Sequence, residues 1–492
     1  MTAAAGPART ATASPRGDYP ELRLFIGGAW VAGERTAAVI DPATEDTIGQ
    51  VPIATAGDLA AALEAAAVGF AAWRRVAPAD RAVVLHRAAE LLRQRREKVA
   101  RVVTLELGKP LREARVEVDT AAGHIEWSAE EGRRGYGRVI PGAAGERQLV
   151  LAEPIGPVAA FAPWNAPAIT PARKISSALA AGCSVIIKPA EETPGTAICV
   201  AQAFADAGLP PGALNVLFGD PAHISGTLIA SAVIRGITFT GSVRVGKLLA
   251  AQAAGQLKRT VMELGGHAPV IVCADAPVEE VAAGAARAAY RNAGQVCTSP
   301  TRFLVARPAY DRFVAALGSQ VRALRLGNGF DEQADVGPVA SQHRLAAIER
   351  LVEDARAKGA RVVAGGRRRA GPGYFWEPTV LADVYAGCQV VTEEPFGPLA
   401  VVMPFEDVED ALRQANSLPL ALAGYVFTQH SPTIRKLSDE LDCGAIAVNH
   451  WKVSGPETPF GGHKDSGIGL EGGIEGVAAF QQAKFVTERD YG

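Results

Sequence analysis

A cysteine, a carboxylate and an amide stand in this chain at positions where each could do chemistry. Cys297 lies in Asn292-Ala-Gly-Gln-Val-Cys297-Thr-Ser, on the connection between an apolar helical stretch and a strand, beside Gly294 and the polar Gln295. A thiol on such a connection can meet a ligand. The commoner fate of a lone Cys in an Ala-rich chain is to act as a small core hydrophobe, so its companions decide the reading. Glu263, in Val-Met-Glu-Leu-Gly-Gly-His, ends an apolar strand where two glycines let the chain turn and approach a ligand; carboxylates at strand ends of α/β proteins line the ligand crevice. Asn165, in Phe-Ala-Pro-Trp-Asn-Ala-Pro, also follows a strand, with Pro163 and Pro167 stiffening the loop around an amide donor of the kind a developing oxyanion needs.

Two further segments suit an anionic cofactor. Thr240-Gly241-Ser242-Val-Arg-Val-Gly246 joins a strand to a helix, and small residues there expose N–H groups to a pyrophosphate at the helix N-terminus. Plain packing uses such turns as often. Lys188 ends a strand three residues before Glu191, so both could hang over the sheet edge beside an adenosine ribose, or simply form a salt bridge. Gly467-Ile-Gly469-Leu-Glu-Gly472 matches the dinucleotide pattern literally, but it follows the polar run His463-Lys-Asp-Ser instead of an apolar strand and is read as a decoy. The six cysteines show no paired spacing and the eight histidines no ligand clustering, so neither a metal site, a disulfide framework nor papain-like proteolysis is expected.

These residues need elements to position them. Helical spacing recurs at Leu59, Ala62, Leu63, Ala66, Phe70 and Trp73, and again from Pro78, so the first third is helical packing around a short strand entry. From Gly156, short apolar runs at 157–162, 184–187, 214–217 and 236–239 alternate with helical stretches at 168–181, 193–207 and 243–254, the punctuation of a parallel sheet. The alternation restarts after Glu263, with strands at 269–272, 303–306, near Val362 and Val401, and at 424–427, predicting a second α/β domain. A strand at 479–486 has nothing local to pair with and must find its partner in another subunit or elsewhere in the chain.

With 492 residues, 48% of them apolar, the chain is long enough for two or three domains. A net charge of −2 leaves no cation excess for nucleic acid, and no uninterrupted apolar run of membrane-spanning length or signal-peptide pattern is seen. The expectation is a cytoplasmic enzyme with no nucleic-acid or membrane partner. Residues 1–20 are small, Pro-interrupted and unperiodic, and read as a disordered tail.

Taken together, Phe161-Ala-Pro-Trp-Asn165, Lys188-Pro-Ala-Glu191, Phe239-Thr-Gly-Ser242, Glu263-Leu-Gly-Gly, Gly294-Gln-Val-Cys297, Glu394-Pro-Phe-Gly and Pro459-Phe-Gly-Gly resemble the aldehyde dehydrogenase superfamily in order and spacing. The likeness runs from about Phe25 to the C-terminus. It implies a Rossmann-like cofactor domain (21–128 and 150–262), an α/β catalytic domain (263–460) and a β oligomerisation arm (129–149 and 461–492) that builds a homodimer or homotetramer. It implies that Cys297 attacks the aldehyde to form a thiohemiacetal and then a thioester, that Asn165 and the Cys297 N–H hold the oxyanion, and that Glu263 activates water. The implied cofactor contacts are Trp164, Lys188, Glu191, Gly241, Ser242, Gly246, Leu264, Glu394 and Phe396. A carboxylate at Glu191 would accept from both ribose hydroxyls and repel a 2′-phosphate, favouring NAD over NADP.

Within the superfamily the chain looks most like the succinate-semialdehyde dehydrogenases, whose two arginines and serine for the distal carboxylate match Arg173, Arg291 and Ser454. Arg291, six residues before Cys297, is the telling one. The chain departs from the pattern in lacking a second cysteine after Cys297, where Thr298 and Ser299 stand, and in having Leu470 in place of a frequent arginine. These departures and the bulky Trp451 keep glutarate, 2-oxoglutarate and aryl-substituted semialdehydes open as substrates, as well as a broad aldehyde range. The rival classes are a non-catalytic NAD-binding protein, against which the intact Cys297, Glu263 and Asn165 speak, and a coenzyme A-acylating enzyme, against which Glu263 speaks.

Overall fold

The structure is a computed structural model and describes Gly17 and residues 19–489. The tail expected over 1–20 therefore lies almost wholly outside the described residues.

Apolar runs with no polar alternation need cover on both faces, which a parallel sheet wrapped by helices supplies. The chain builds two such sheets. The first has eight strands in the order Ala29–Val31, Leu24–Ile26, Leu214–Val216, Val185–Lys188, Val158–Phe161, Gly236–Thr240, Arg259–Glu263 and Gly467–Ile468. Its five central strands are parallel, and an antiparallel strand closes each flank. Helices Ile169–Ala181, Pro194–Asp206, Pro221–Ala230 and Val243–Ala254 make the connections. Successive strands run outward one way from Val158–Phe161 and the other way from Gly236–Thr240, so the order reverses between these two neighbours. Such a switch point opens a crevice at the carboxyl ends of the strands, and the loops leaving those ends carry Trp164, Asn165, Gly241 and Ser242.

The second sheet has seven strands, ordered Arg361–Ala364, Thr379–Ala382, Leu399–Phe405, Pro300–Ala306, Ala268–Val272, Ala423–Phe427 and Ala445–Val448. The α/β class and the restart after Glu263 hold. A separate three-stranded antiparallel sheet joins Gln481–Arg489, Glu146–Pro154 and Arg138–Ile140. The late strand thus finds its partner within its own chain.

The boundaries expected for the arm need correction. Residues 129–132 end the helix Leu111–Gly132, whose core face packs on the helix Ile169–Ala181. The segment 461–478 belongs to the body: Gly467–Ile468 pairs with Arg259–Glu263, and the helix Gly473–Ala478 packs on two body helices. Glycine-rich sequence carried no periodicity by which this docking could be seen.

The helix Ala56–Trp73 is long and apolar enough to cross a membrane by length and composition alone. In the fold it opens with a capping box between Thr55 and Asp58 and lays Leu59, Ala62, Ala66 and Trp73 against the first sheet. Gly69 sits on that face, where an added Cβ would strike the Gly212–Ala213 peptide. Alanine gains about 1 kcal/mol over glycine in a helix, but forcing a methyl into backbone costs about 1–3 kcal/mol. Gly69→Ala should therefore lower the thermal midpoint; a rise would show that helix propensity prevails there.

Candidate active site

The nucleophile loop is held in a costly conformation. Asn292 and Ala293 lie in the left-handed region at φ 51° and 52°, followed by Gly294 at φ 71°. Left-handed backbone costs about 1–2 kcal/mol for a residue with a Cβ, so neighbouring contacts must hold it. They do: the Asn292 N–H donates to Glu113 Oε2 at 2.8 Å, the Asn292 amide donates to the carbonyls of Asn165 and Gln295 at 3.1 and 3.2 Å, and Gln295 Oε1 accepts the Ala340 N–H at 2.8 Å. Cys297 follows on a turn and is partly accessible, whereas Cys183, Cys199, Cys273, Cys388 and Cys443 are buried. Burial, then the charge of Glu394, push the Cys297 thiol up to about 12, against the pull of Arg173 and Arg291. The resting thiol is neutral.

Asn165 is buried beside this loop, and its Nδ2 donates to the Gln295 carbonyl at 3.1 Å. An amide nitrogen carries two hydrogens, which leaves the second for an oxyanion. Lys109 Nζ donates to the Asn165 carbonyl at 3.1 Å and pairs with Glu117, whose other oxygen accepts the Ala168 N–H at 2.9 Å.

Glu263 is 1% exposed at the end of its strand, and neither carboxylate oxygen has a hydrogen-bond partner. Unpartnered buried carboxylates are rare and costly. Burial raises its pKa well above the ordinary range and the charge of Glu471 raises it further, while Arg173 and Lys174 oppose. The Leu264–His267 loop then passes so close to the nucleophile that a Cβ on Gly266 would sit 2.7 Å from the Cys297 carbonyl oxygen. The Gly266 N–H donates to Glu394 Oε1 at 3.2 Å, and burial raises the Glu394 carboxyl to about 7. Nucleophile, water-activating candidate and ribose-binding candidate thus share one turn of chain.

Residues expected to hold a cofactor gather around the switch-point crevice. Ser242 caps the helix Val243–Ala254, leaving that N-terminus to an anion, and Gly246 lies against Leu264 with no room for a side chain. Thr240 Oγ1 is buried there without a partner. Lys188 pairs with Glu191, and Glu191 also accepts the Gly219 N–H at 3.3 Å, which fixes a carboxylate at the sheet edge. Trp164 and Phe396 pack edge to face, with ring centroids 5.4 Å apart. Donor turn, ribose carboxylates and an orphaned hydroxyl fit a dinucleotide. Among the described residues no cluster of His, Cys, Asp or Glu could hold a metal.

The three residues expected to bind a distal carboxylate differ in state. Arg173 is buried, pairs with Glu471 at 2.7 Å and lies over the Phe460 ring at 4.9 Å. Arg291 is exposed, acts electrostatically on Cys297 and Glu113, and has no ion pair among the described residues. It does not cap the preceding helix, which ends before it at Ala289 with Arg287 in its last turn. Ser454 is exposed on the loop after Trp451. The Trp451 ring packs on Phe427 and Tyr425, at 4.5 and 5.4 Å, so its bulk goes into the core of the second sheet.

A family model described as the aldehyde dehydrogenase family matches residues 30–486. The chain belongs to the aldehyde dehydrogenase family. It is 47% identical over 466 residues to the 4-(hydroxymethyl)benzenesulfonate dehydrogenase TsaD1 of Comamonas testosteroni, covering 94% of this chain and 97% of that one. It is 39% identical over 467 residues to the NADP+ succinate-semialdehyde dehydrogenase GabD of Escherichia coli K12, covering 94% and 97%. The crystal structure of succinate-semialdehyde dehydrogenase from Burkholderia pseudomallei superposes with a TM-score of 0.94 at 39% identity, covering 98% of this chain and 100% of that one. This dehydrogenase therefore acts on an aldehyde with a nicotinamide cofactor.

Sequence reading missed Glu471, which sits inside the glycine pattern set aside as a decoy. Its carboxylate takes Arg173, Lys174 and Thr238 together, and although burial alone would raise it, these partners hold it down to about 2. The available signal was Lys174: two adjacent cations in an otherwise apolar helix require a buried carboxylate. Arg344, which donates to the Pro395 carbonyl at 2.5 Å behind Glu394 and Phe396, was missed as well.

A raised thiol pKa means that the reactive thiolate is scarce at neutral pH and grows as pH rises. Iodoacetamide alkylation of Cys297 in the cofactor-free enzyme should accelerate about tenfold per pH unit from pH 6 to 8. A plateau within that range, read by intact mass, would show that the thiolate is already formed.

Proposed function

We propose that this enzyme oxidises an aldehyde carrying a distal anionic group, such as succinate semialdehyde, to its carboxylic acid with NAD through a thioester on Cys297. The Arg291 guanidinium, which has no ion pair among the described residues and acts electrostatically on Cys297, carries the substrate assignment. A charge without a partner next to a nucleophile is a ready site for a substrate anion. Ser454 adds a hydroxyl, and Arg173 contributes field from behind its pair with Glu471. The name of the Comamonas relative gives its substrate an anionic sulfonate group, which supports an anion on the substrate here. An aryl-substituted semialdehyde is the second reading.

In this reading the Cys297 thiol loses its proton to solvent water, the thiolate sulfur adds to the aldehyde carbon, and the carbonyl π pair moves to oxygen. The second Asn165 N–H and the Cys297 backbone N–H receive that oxyanion. NAD, when bound, would supply the hydride acceptor, and loss of hydride from the adduct carbon leaves a thioester on Cys297. Glu263, whose raised pKa suits a general base, takes a proton from water as the water oxygen adds to the thioester carbon. The acid leaves and Cys297 departs as thiolate. A coenzyme A-acylating enzyme would have no use for this buried base.

Glu191 supports NAD, because its fixed carboxylate opposes a 2′-phosphate, and Glu394 would take the nicotinamide ribose. The three-stranded sheet exposes Val139, Leu151 and Phe485. Apolar side chains on an exposed sheet support its use as the contact of a homodimer or homotetramer.

Glu263→Gln should still release one equivalent of NADH per site in a burst and then turn over slowly; loss of the burst itself would remove Glu263 from the hydrolytic step. A charge-assisted hydrogen bond contributes about 1.5–3 kcal/mol, so Arg291→Ala should lower kcat/KM for succinate semialdehyde by about 10- to 150-fold. Butanal, which has no anion, should be oxidised almost as before. Equal losses on the two aldehydes would mean that the arginine is structural.

A further inference from the structure

The oxyanion donor and the nucleophile stand on separate loops, one leaving the first sheet and the other preceding the second. Catalysis needs them at a fixed separation, and direct hydrogen bonds between the loops are joined there by contacts from a third element. The helix Leu111–Gly132 and its approach touch both. Glu113 takes the Asn292 N–H at 2.8 Å, at the entrance to the left-handed segment before Cys297. Lys109 takes the Asn165 carbonyl at 3.1 Å, and Glu117, paired with Lys109, takes the Ala168 N–H. Asn292 closes the bridge, its amide donating to the Asn165 carbonyl and the Gln295 carbonyl, the latter shared with the Asn165 amide.

We propose that Glu113 and Asn292 are positioning residues that set the distance between the Asn165 amide and the Cys297 loop, and so build the oxyanion site from the face of a helix that itself contributes no reacting group. This rests on the reading of Cys297 as nucleophile and Asn165 as oxyanion donor. Glu113 is partly buried, and burial raises its carboxyl, with the Asn292 N–H, Lys109 and Arg291 opposing. The backbone N–H of Asn292 is the one hydrogen-bond partner of the Glu113 carboxylate among the described residues. Asn292 adopts φ 51°, where glycine would sit without penalty. Its amide, reaching two carbonyls, offsets that conformation.

Three variants separate the contact from the fold. Asn292→Gly keeps the left-handed turn but removes the bridge; Glu113→Ala removes the acceptor; Glu113→Gln keeps an oxygen for the Asn292 N–H. Rapid mixing with succinate semialdehyde and NAD reads the NADH burst, whose rate should fall about 10- to 100-fold in Asn292→Gly and Glu113→Ala, with the KM for NAD unchanged. Glu113→Gln should stay within about threefold of the parent. Cys297 alkylation by iodoacetamide forms no oxyanion and should be unaltered in all three. An unchanged burst in Asn292→Gly overturns the proposal even if Glu113→Ala fails to fold, as does alkylation that slows in step with the burst. Cys297→Ala is the control: turnover surviving in it would sink the nucleophile reading itself, whereas a dead Cys297→Ala beside unaffected bridge variants would sink only the positioning role.

Discussion

The buried carboxylate of Glu471 is the constraint around which the active site is arranged. It gathers Arg173 and Lys174 from one helix and Thr238 from a central strand of the first sheet, and it does so on a segment that arrives almost at the end of the chain. Burying two adjacent cations is tolerable only with a carboxylate shared between them, because an unpaired ion in the interior costs several kcal/mol. The match fixes the C-terminal glycine-rich segment against the sheet. It also places a permanent negative charge behind Glu263, which together with burial keeps that group's pKa high. A structural ion cluster and the tuning of a candidate base are here the same interaction.

The same segment ties the two sheets together. Ser466 accepts the Ala421 N–H at 2.8 Å, donates to the Gly265 carbonyl at 2.7 Å, and its own carbonyl takes the Leu264 N–H at 2.9 Å. The turn after Glu263, which touches Cys297 on one side and Glu394 on the other, is therefore held by Ser466, in the turn just before the strand Gly467–Ile468. Mobility in that turn would spread the candidate base, nucleophile and ribose carboxylate apart.

Charge distribution divides labour between the arginines near the site. Arg173 is neutralised by Glu471 and buried, so it shapes the field without being available as a partner. Arg291 is exposed and unpaired, so its desolvation by an incoming anion costs less than breaking an existing pair would. In the proposed reading one guanidinium carries the preference for an anionic aldehyde, while the Trp451 ring packs into the core of the second sheet.

The sequence alone determined the alternation of apolar runs and helices that makes two parallel sheets, because burial on both faces leaves an unbroken apolar signature that needs no context. It also determined the identities of Cys297, Glu263 and Asn165 as candidates, since each stands on a glycine- or proline-marked loop just beyond a strand or helix. What it could not hold was any relation whose partners lie far apart in the chain. The pairing of Glu471 with Lys174 spans 297 residues and that of Glu113 with Asn292 spans 179. Neither has local periodicity, and a charged residue looks the same in sequence whether it is solvated or sealed in the core. Only the tertiary structure decided that Arg173 is committed, that Arg291 is free, and that a glycine pattern resembling a phosphate loop carries instead the carboxylate on which the site is built.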